Sequence, residues 1–206
     1  SAGRDITVQS STVDQHFESN GKVSGRVDKT VVGRIAGLYV TGDKGLLIAS
    51  AGNDLKLLGA IIDSRGSALL NAGHDLKLGT VTESNSAATV GKKTRWNENQ
   101  RVELGSMLSV QGDLALSAKN DLTARAATVV SHSGTLAAAA GNDLKIESGE
   151  ARYASEYYRK SSSSGLLSSS SKERRDTVES TTALASTFSG EKVDLSAGRD
   201  LNVKGS

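Results

Sequence analysis

Nine side chains in this 206-residue chain are suited by type and spacing to bind a ligand. Lys92, Arg95 and Trp96 stand close together, and Arg152, Tyr153, Tyr157, Tyr158, Arg159 and Lys160 form a second group. Between Arg152 and Arg175 there are six basic and two acidic residues, a local charge of +4. Cationic groups beside exposed aromatic rings suit anionic glycans, lipopolysaccharide head groups or a protein receptor. They also suit single-stranded nucleic acid. No nucleic-acid fold signature occurs, however, and a whole-chain charge of +2 is too balanced to imply that partner. The alternative is solvated decoration with no ligand.

Catalysis is poorly supplied. His16, His74 and His132 are scattered, and none has a partner at helical metal-binding spacing. There is no His-Glu-x-x-His, no phosphate-binding loop, and no Gly-x-Ser-x-Gly elbow, since Gly165-Leu166-Leu167-Ser168 does not fit it. Cys is absent, which removes thiolate metal sites and disulfides. The residues therefore predict no catalytic group, metal or cofactor. A polysaccharide-active enzyme stays as a rival, because fold does not decide activity.

A repeat must position these groups. The heptad Ala-Gly-x-Asp-Leu/Ile-x-(Leu/Ile/Val) occurs at Ala2–Val8, Ala51–Leu57, Ala72–Leu78, Ala140–Ile146 and Ala197–Val203, with a degenerate copy at Ala118–Ala124. Successive copies start 49, 21, 46, 22 and 57 residues apart. The short spacings define the unit, and the long ones read as about two units with extra residues. Such self-similarity marks a solenoid. Four and two residues before each internal Ala lie apolar residues: Leu47 and Ala49, Ala68 and Leu70, Leu114 and Leu116, Leu136 and Ala138, Val193 and Leu195. A step of two turns one strand face inwards. Asp-Leu-x-Leu then starts a second strand, across a corner where Gly supplies positive φ and Asp bonds its own turn. Each unit reads as strand, corner, strand, return. Stacked in register, such units form an all-β parallel β-helix, and ten coils would make a rod roughly 45–50 Å long. Stacked Asp5, Asp54, Asp75, Asp121, Asp143 and Asp200 suggest a metal ladder only weakly, since Gly-Gly-x-Gly-x-Asp nonapeptides are missing.

Three polar segments interrupt the rhythm, at about residues 9–43, 82–110 and 147–190. The third is nearly mirrored about Gly165, which predicts a long hairpin with its tip near Gly165–Leu167. Alternation at Val27, Lys29 and Val31, and at Val102 and Leu104, also permits further coils. Aromatics are only 3%, thin for a globular core. No apolar run is long enough to span a bilayer as a helix. The chain carries no signal peptide, and both ends fall on the motif, so residues 1–206 read as one β-helix segment of a longer array.

The heptad, with Gly-x-Leu-x-Leu-x-Ala before it at Gly112–Ala118, resembles the haemagglutinin repeats of filamentous haemagglutinin-type exoproteins. Ser161–Ser171 with Thr177-Val178-Glu179-Ser180 resembles the repeat class typical of contact-dependent growth inhibition exoproteins. The resemblance implies a right-handed parallel β-helix with polar inserted strands or hairpins. It implies export from a Gram-negative cell by an outer-membrane partner transporter, and display on the cell surface as a filament segment, monomeric in itself. It further implies contact with a target cell's outer membrane or receptor and help in delivering a C-terminal toxin. A host-cell or matrix adhesin is the alternative.

Overall fold

The computed structural model describes residues 1–165 and 168–205. It contains strands and turns and, among the described residues, no helix. The chain opens with β1 (Ile6–Gln9), then β2 (Ser11–Ser19) and β3 (Val23–Arg34). Two coils follow: β4 (Gly37–Val40), β5 (Leu46–Ala51) and β6 (Leu55–Leu58), then β7 (Ile61–Ser64), β8 (Ser67–Ala72) and β9 (Leu76–Gly79). After β10 (Val81–Gly91) and β11 (Thr94–Leu104) come two more: β12 (Met107–Val110), β13 (Leu114–Ala118) and β14 (Leu122–Arg125), then β15 (Thr128–Ser131), β16 (Thr135–Ala140) and β17 (Leu144–Glu147). Finally β18 (Gly149–Ser164) and β19 (Ser169–Leu184) lead into β20 (Thr187–Ser189), β21 (Lys192–Ala197) and β22 (Leu201–Lys204).

Three parallel sheets make a β-helix. Their orders are β1-β6-β9-β14-β17-β22, β5-β8-β13-β16-β21 and β4-β7-β12-β15-β20. Each coil thus has three strands, and the return stretch of the repeat is itself a strand. The heptads are in register: Leu55 pairs with Leu76, Leu122 with Leu144, and Leu144 with Leu201. Leu57, Leu70, Leu76, Leu114, Leu116, Leu122, Leu136 and Leu144 are essentially without solvent contact. Burying one such side chain is worth about 1.5–3 kcal/mol. Leu and Ala exchange along a column, as in Ala49, Leu70, Leu116, Ala138 and Leu195, so a thin core fills without large rings. Val193 is 41% exposed, because its coil is stacked on one side only.

The corner chemistry departs from expectation. None of the heptad glycines has positive φ; among the described residues, positive φ occurs at Gly59, Ala126 and Gly205. Gly is needed at the heptad corner for closeness instead. A Cβ on Gly52, Gly73, Gly141 or Gly198 would collide with the backbone carbonyl of the coil beneath. Nor does each Asp bond its own turn. Asp5 Oδ1 accepts from the Asp54 N–H and from Asn53 Nδ2, and Asp121 Oδ1 accepts from the Asp143 N–H and Asn142 Nδ2. Stacking at about 4.8 Å brings the next coil's donors within reach, so the Asp column ties coil to coil.

The long spacings are corrected as well. Each is one coil plus a hairpin, not two coils. β2–β3, β10–β11 and β18–β19 are antiparallel hairpins, and β3 pairs with β10 and β11 with β18. The result is one six-stranded antiparallel sheet, β19-β18-β11-β10-β3-β2, standing beside the helix like a fin. Commensurate spacing explains its continuity. Hairpins leave the helix on alternate coils, two strands are as wide as two coil rises, and so neighbouring hairpins meet edge to edge. Six rungs rather than ten make the rod, or roughly 24 Å at the strand spacing.

Alternate coils mark the choice locally. Where no hairpin leaves, the chain turns through left-handed Gly59 (φ 55°) or Ala126 (φ 48°). Where the second and third hairpins re-enter, a buried serine stitches the corner. Ser106 Oγ accepts from the Ala60 N–H and lies 2.9 Å from the Leu57 carbonyl, and Ser186 Oγ accepts from the Ala127 N–H while donating to the Glu147 carbonyl.

Candidate functional site

The fin has almost no core of its own. Along its six strands only Val81 and Gly149, both at the root, are buried. Carboxylates seal the seams where hairpins meet. Glu83 Oε1 accepts from the Val32 N–H at 2.8 Å. Glu103 Oε2 accepts from the Glu150 N–H at 2.9 Å and from Arg125 of the rod at 2.8 Å. Both glutamates extend the inter-hairpin ladder one step past its last backbone pair, Ser84–Thr30 or Val102–Ala151.

Strand pairing brings the two sequence groups together. Trp96 stands opposite Tyr157, Arg95 opposite Tyr158, and Arg101 opposite Arg152. A sheet's side chains alternate between its faces, however, and this splits the expected cluster. Trp96, Tyr153, Tyr157 and Arg159 project from one face, here the front. Arg95, Arg152, Tyr158 and Lys160 project from the back, and Lys92 lies in the turn between β10 and β11. Tyr157 and Tyr158 are neighbours in sequence and on opposite surfaces in space.

The faces differ in charge chemistry. On the back, Asp28 takes Arg26 Nε and His16 Nδ1, each at 2.6 Å. Arg152 Nε donates to Glu150 at 2.7 Å, Arg175 lies 3.0 Å from Glu156, and Lys160 lies 2.8 Å from Glu173. Hydrogen bonds from Arg26 and then His16 hold the Asp28 carboxyl below its usual range. The Lys160 ammonium, aided by the Tyr158 hydroxyl, does the same to Glu173. The local +4 is thus largely spent in ion pairs, some with Glu150 and Asp176 just outside the window that produced it. These exposed pairs organise the surface more than they stabilise it.

On the front, Phe17 and Trp96 bound a shallow hollow of about 370 Å³ floored by Gly25, Ala87 and Thr89. Phe17 is 64% exposed. It was not among the expected site residues, because its neighbourhood with Trp96 exists only through the β2-β3-β10-β11 order. The hairpin expected around Gly165 is present as sixteen paired residues on each side, Gly149–Ser164 with Ser169–Leu184. Leu166 and Leu167, at its expected tip, lie outside the described residues.

The histidines do not converge. His16 sits on the fin's back, and His132 Nε2 lies 3.1 Å from Ser109 Oγ on the rod. His74 fills the variable heptad position, where its Nδ1 is 3.5 Å from Asp54 and 3.3 Å from Asp75. These three can bring ligand atoms within 4.8 Å of one another. Their carboxylates already serve the ladder: Asp54 takes Lys56 Nζ and the Asp75 N–H, and Asp75 takes Asn120 Nδ2 and the Asp121 N–H.

A three-faced β-helix carrying a free-standing sheet defines a repeat-built display protein. The model of the hemagglutinin repeat family matches residues 87–206, more than half of the chain, and the chain belongs to that family. No curated protein and no solved structure matches it. The family is a structural and adhesive one, whose members are secreted surface proteins of filamentous haemagglutinin type.

Proposed function

We propose that the chain is a contact segment of a longer secreted exoprotein of a Gram-negative cell. It is exported through an outer-membrane partner transporter and lies on the cell surface. Its rod sets reach, and its fin meets the target cell's outer membrane or a receptor there. In this reading the parent carries a C-terminal toxin that contact helps across the target membrane, as in contact-dependent growth inhibition. The observation that supports it is the fin itself. Three polar insertions, separated by two coils each, converge on one sheet with two solvent-facing surfaces, an arrangement that adds little to the core. A large surface that is not used for folding is available for recognition.

The test is binding of the whole chain to intact Gram-negative cells and outer-membrane vesicles, with mammalian cells and heparin as comparators. Selective binding to bacterial surfaces is expected. Binding to mammalian cells alone would move the assignment to a host adhesin, and loss of the toxin-delivery element would follow.

A further inference from the structure

We infer that the front face of the fin is a self-association surface, on which a second copy of this chain lays its own front face. This goes beyond the contact reading above and does not depend on it. The two faces of the fin are unequal in apolar exposure. Val13, Phe17, Val23, Tyr153 and Val178 are exposed, and strand pairing puts all five on the front. Among the described residues of the fin, Val90 is the one exposed large apolar side chain on the back. Trp96 and Tyr157 add two rings to the front, whereas the back carries Arg26, Arg152 and Arg175 with their carboxylates. An antiparallel sheet that is apolar on one side and charged on the other has the pattern of half a sandwich.

The face complements itself, which makes the other half a second copy. From the row of Val102 to that of Arg159 the front holds three carboxylates, Glu83, Glu98 and Asp176, and three cations, Lys29, Arg159 and Arg174. A face without net charge does not repel its own copy. A two-fold contact sets one patch against the same patch. With the axis between β10 and β11, parallel to the strands, β18 of one copy lies over β3 of the other, and β19 over β2. Tyr157 and Gly25 share a cross-strand row, so the turn brings the ring over the glycine floor of the 370 Å³ hollow bounded by Phe17 and Trp96. By the same turn Phe17 meets Val178, its row partner at the opposite edge. Lys29 comes over the ring of Tyr153, a favourable place for a cation. Rings on one half of the face thus meet small or apolar residues on the other half.

The area suffices. Six strands at their usual spacing and eight residue steps from Val102 to Thr94 give a face of about 24 by 27 Å. Two such faces remove about 1,300 Å² from water, within the roughly 1,200–2,000 Å² of a specific interface. Sheets packed face to face lie about 10 Å apart with interdigitated side chains, so the wet front of each fin would become the core it lacks alone.

The experiment is sedimentation equilibrium of the full chain over a wide concentration range. A reversible dimer is expected, weakened about ten-fold or more by Phe17→Asp with Val178→Asp and by Trp96→Ala with Tyr157→Ala. Val90→Asp, on the back, should leave it unchanged. Melting temperatures at a concentration where the chain is monomeric confirm that each variant keeps its sheet. The chain has no Cys, so Ala87→Cys at the centre of the front and Asn99→Cys on the back are unique handles for a short bis-maleimide. Cross-linked dimer is expected from the first and not from the second. A monomer at every concentration would overturn the inference. So would assembly that grows past the dimer, which is end-to-end stacking of rods, or equal loss from variants of the two faces. A monomer whose front-face variants lose binding to cells would give the face to a target molecule instead. Cell binding is scored separately, so a dimer that binds no cell sinks the contact reading alone, and a monomer that binds cells sinks the dimer alone.

Discussion

The rod and the fin are built from the same strands at the same spacing, yet they solve opposite problems. In the rod, alternate residues are Leu, Ala, Val or Ile and turn into a closed core, and Leu55, Leu76, Leu122 and Leu144 see no solvent. In the fin, alternation separates two wet faces, and β2 is exposed along its whole length. An isolated two-stranded hairpin is marginal in water. The fin persists because its hairpins are anchored at fixed intervals by the coils and sealed at the root by Glu83 and Glu103. The lesson is a division of labour: hydrophobic burial fixes the scaffold, and the scaffold's period, rather than the fin's own burial, fixes the fin.

Breaking the rod should have the largest effect. Leu116→Asp places a charge without a partner where the wild-type side chain is 1% exposed. A loss of more than about 4 kcal/mol is expected, read as collapse of cooperative thermal melting. Leu195→Asp, in a coil stacked on one side, should cost less, and equal losses would put the assigned burial in error.

The seam comes next. Glu103→Ala leaves the Glu150 N–H and Arg125 without their acceptor and should cost about 1–3 kcal/mol. Faster amide exchange at the root of β18 would localise the effect. No change in exchange there would mean that backbone pairing alone holds the hairpins together.

Acid should weaken the rod at a defined coil. Asp143 is held at about 2 by hydrogen bonds first from Arg199 and then from Lys145. Its folded-state value lies below the unfolded one, so its contribution is complete above about pH 4 and disappears as pH falls through 2. Arg199→Ala should flatten the melting temperature between pH 4 and 2, and an unaltered slope would assign the acid sensitivity to other carboxylates.

The smallest structural effect is expected on the fin. Replacing Arg152, Tyr157, Tyr158 and Arg159 together with Ala should leave the rod's melting within a degree or two, since surface changes usually stay within about 0.5 kcal/mol each. Unfolding by that set would make the fin part of the core.

The rod was legible in the sequence because its signal is local. The apolar steps ending at Ala51, Ala72, Ala118 and Ala140 are the buried positions of β5, β8, β13 and β16. The third strand of each coil was harder, as Ile61–Ser64 and Thr128–Ser131 carry only a short pattern and a buried serine each. The role of the corner glycines was misjudged because the collision that requires them is with another coil. The fin was the least legible. Its aromatic and basic residues stood out by type, but the face each occupies depends on pairing across hairpins as far apart as Lys29 and Tyr153, which no local pattern encodes.

One measurement bears on the division of labour directly. The three hairpins, Ser11–Arg34, Val81–Leu104 and Gly149–Leu184, are each replaced by the short left-handed corner found at Gly59-Ala60, and the resulting rod is compared with the whole chain in thermal melting and in binding to Gram-negative cells. A rod that still melts cooperatively but no longer binds is the predicted result. A rod that binds cells as well as the whole chain does, or one that no longer folds, would contradict it.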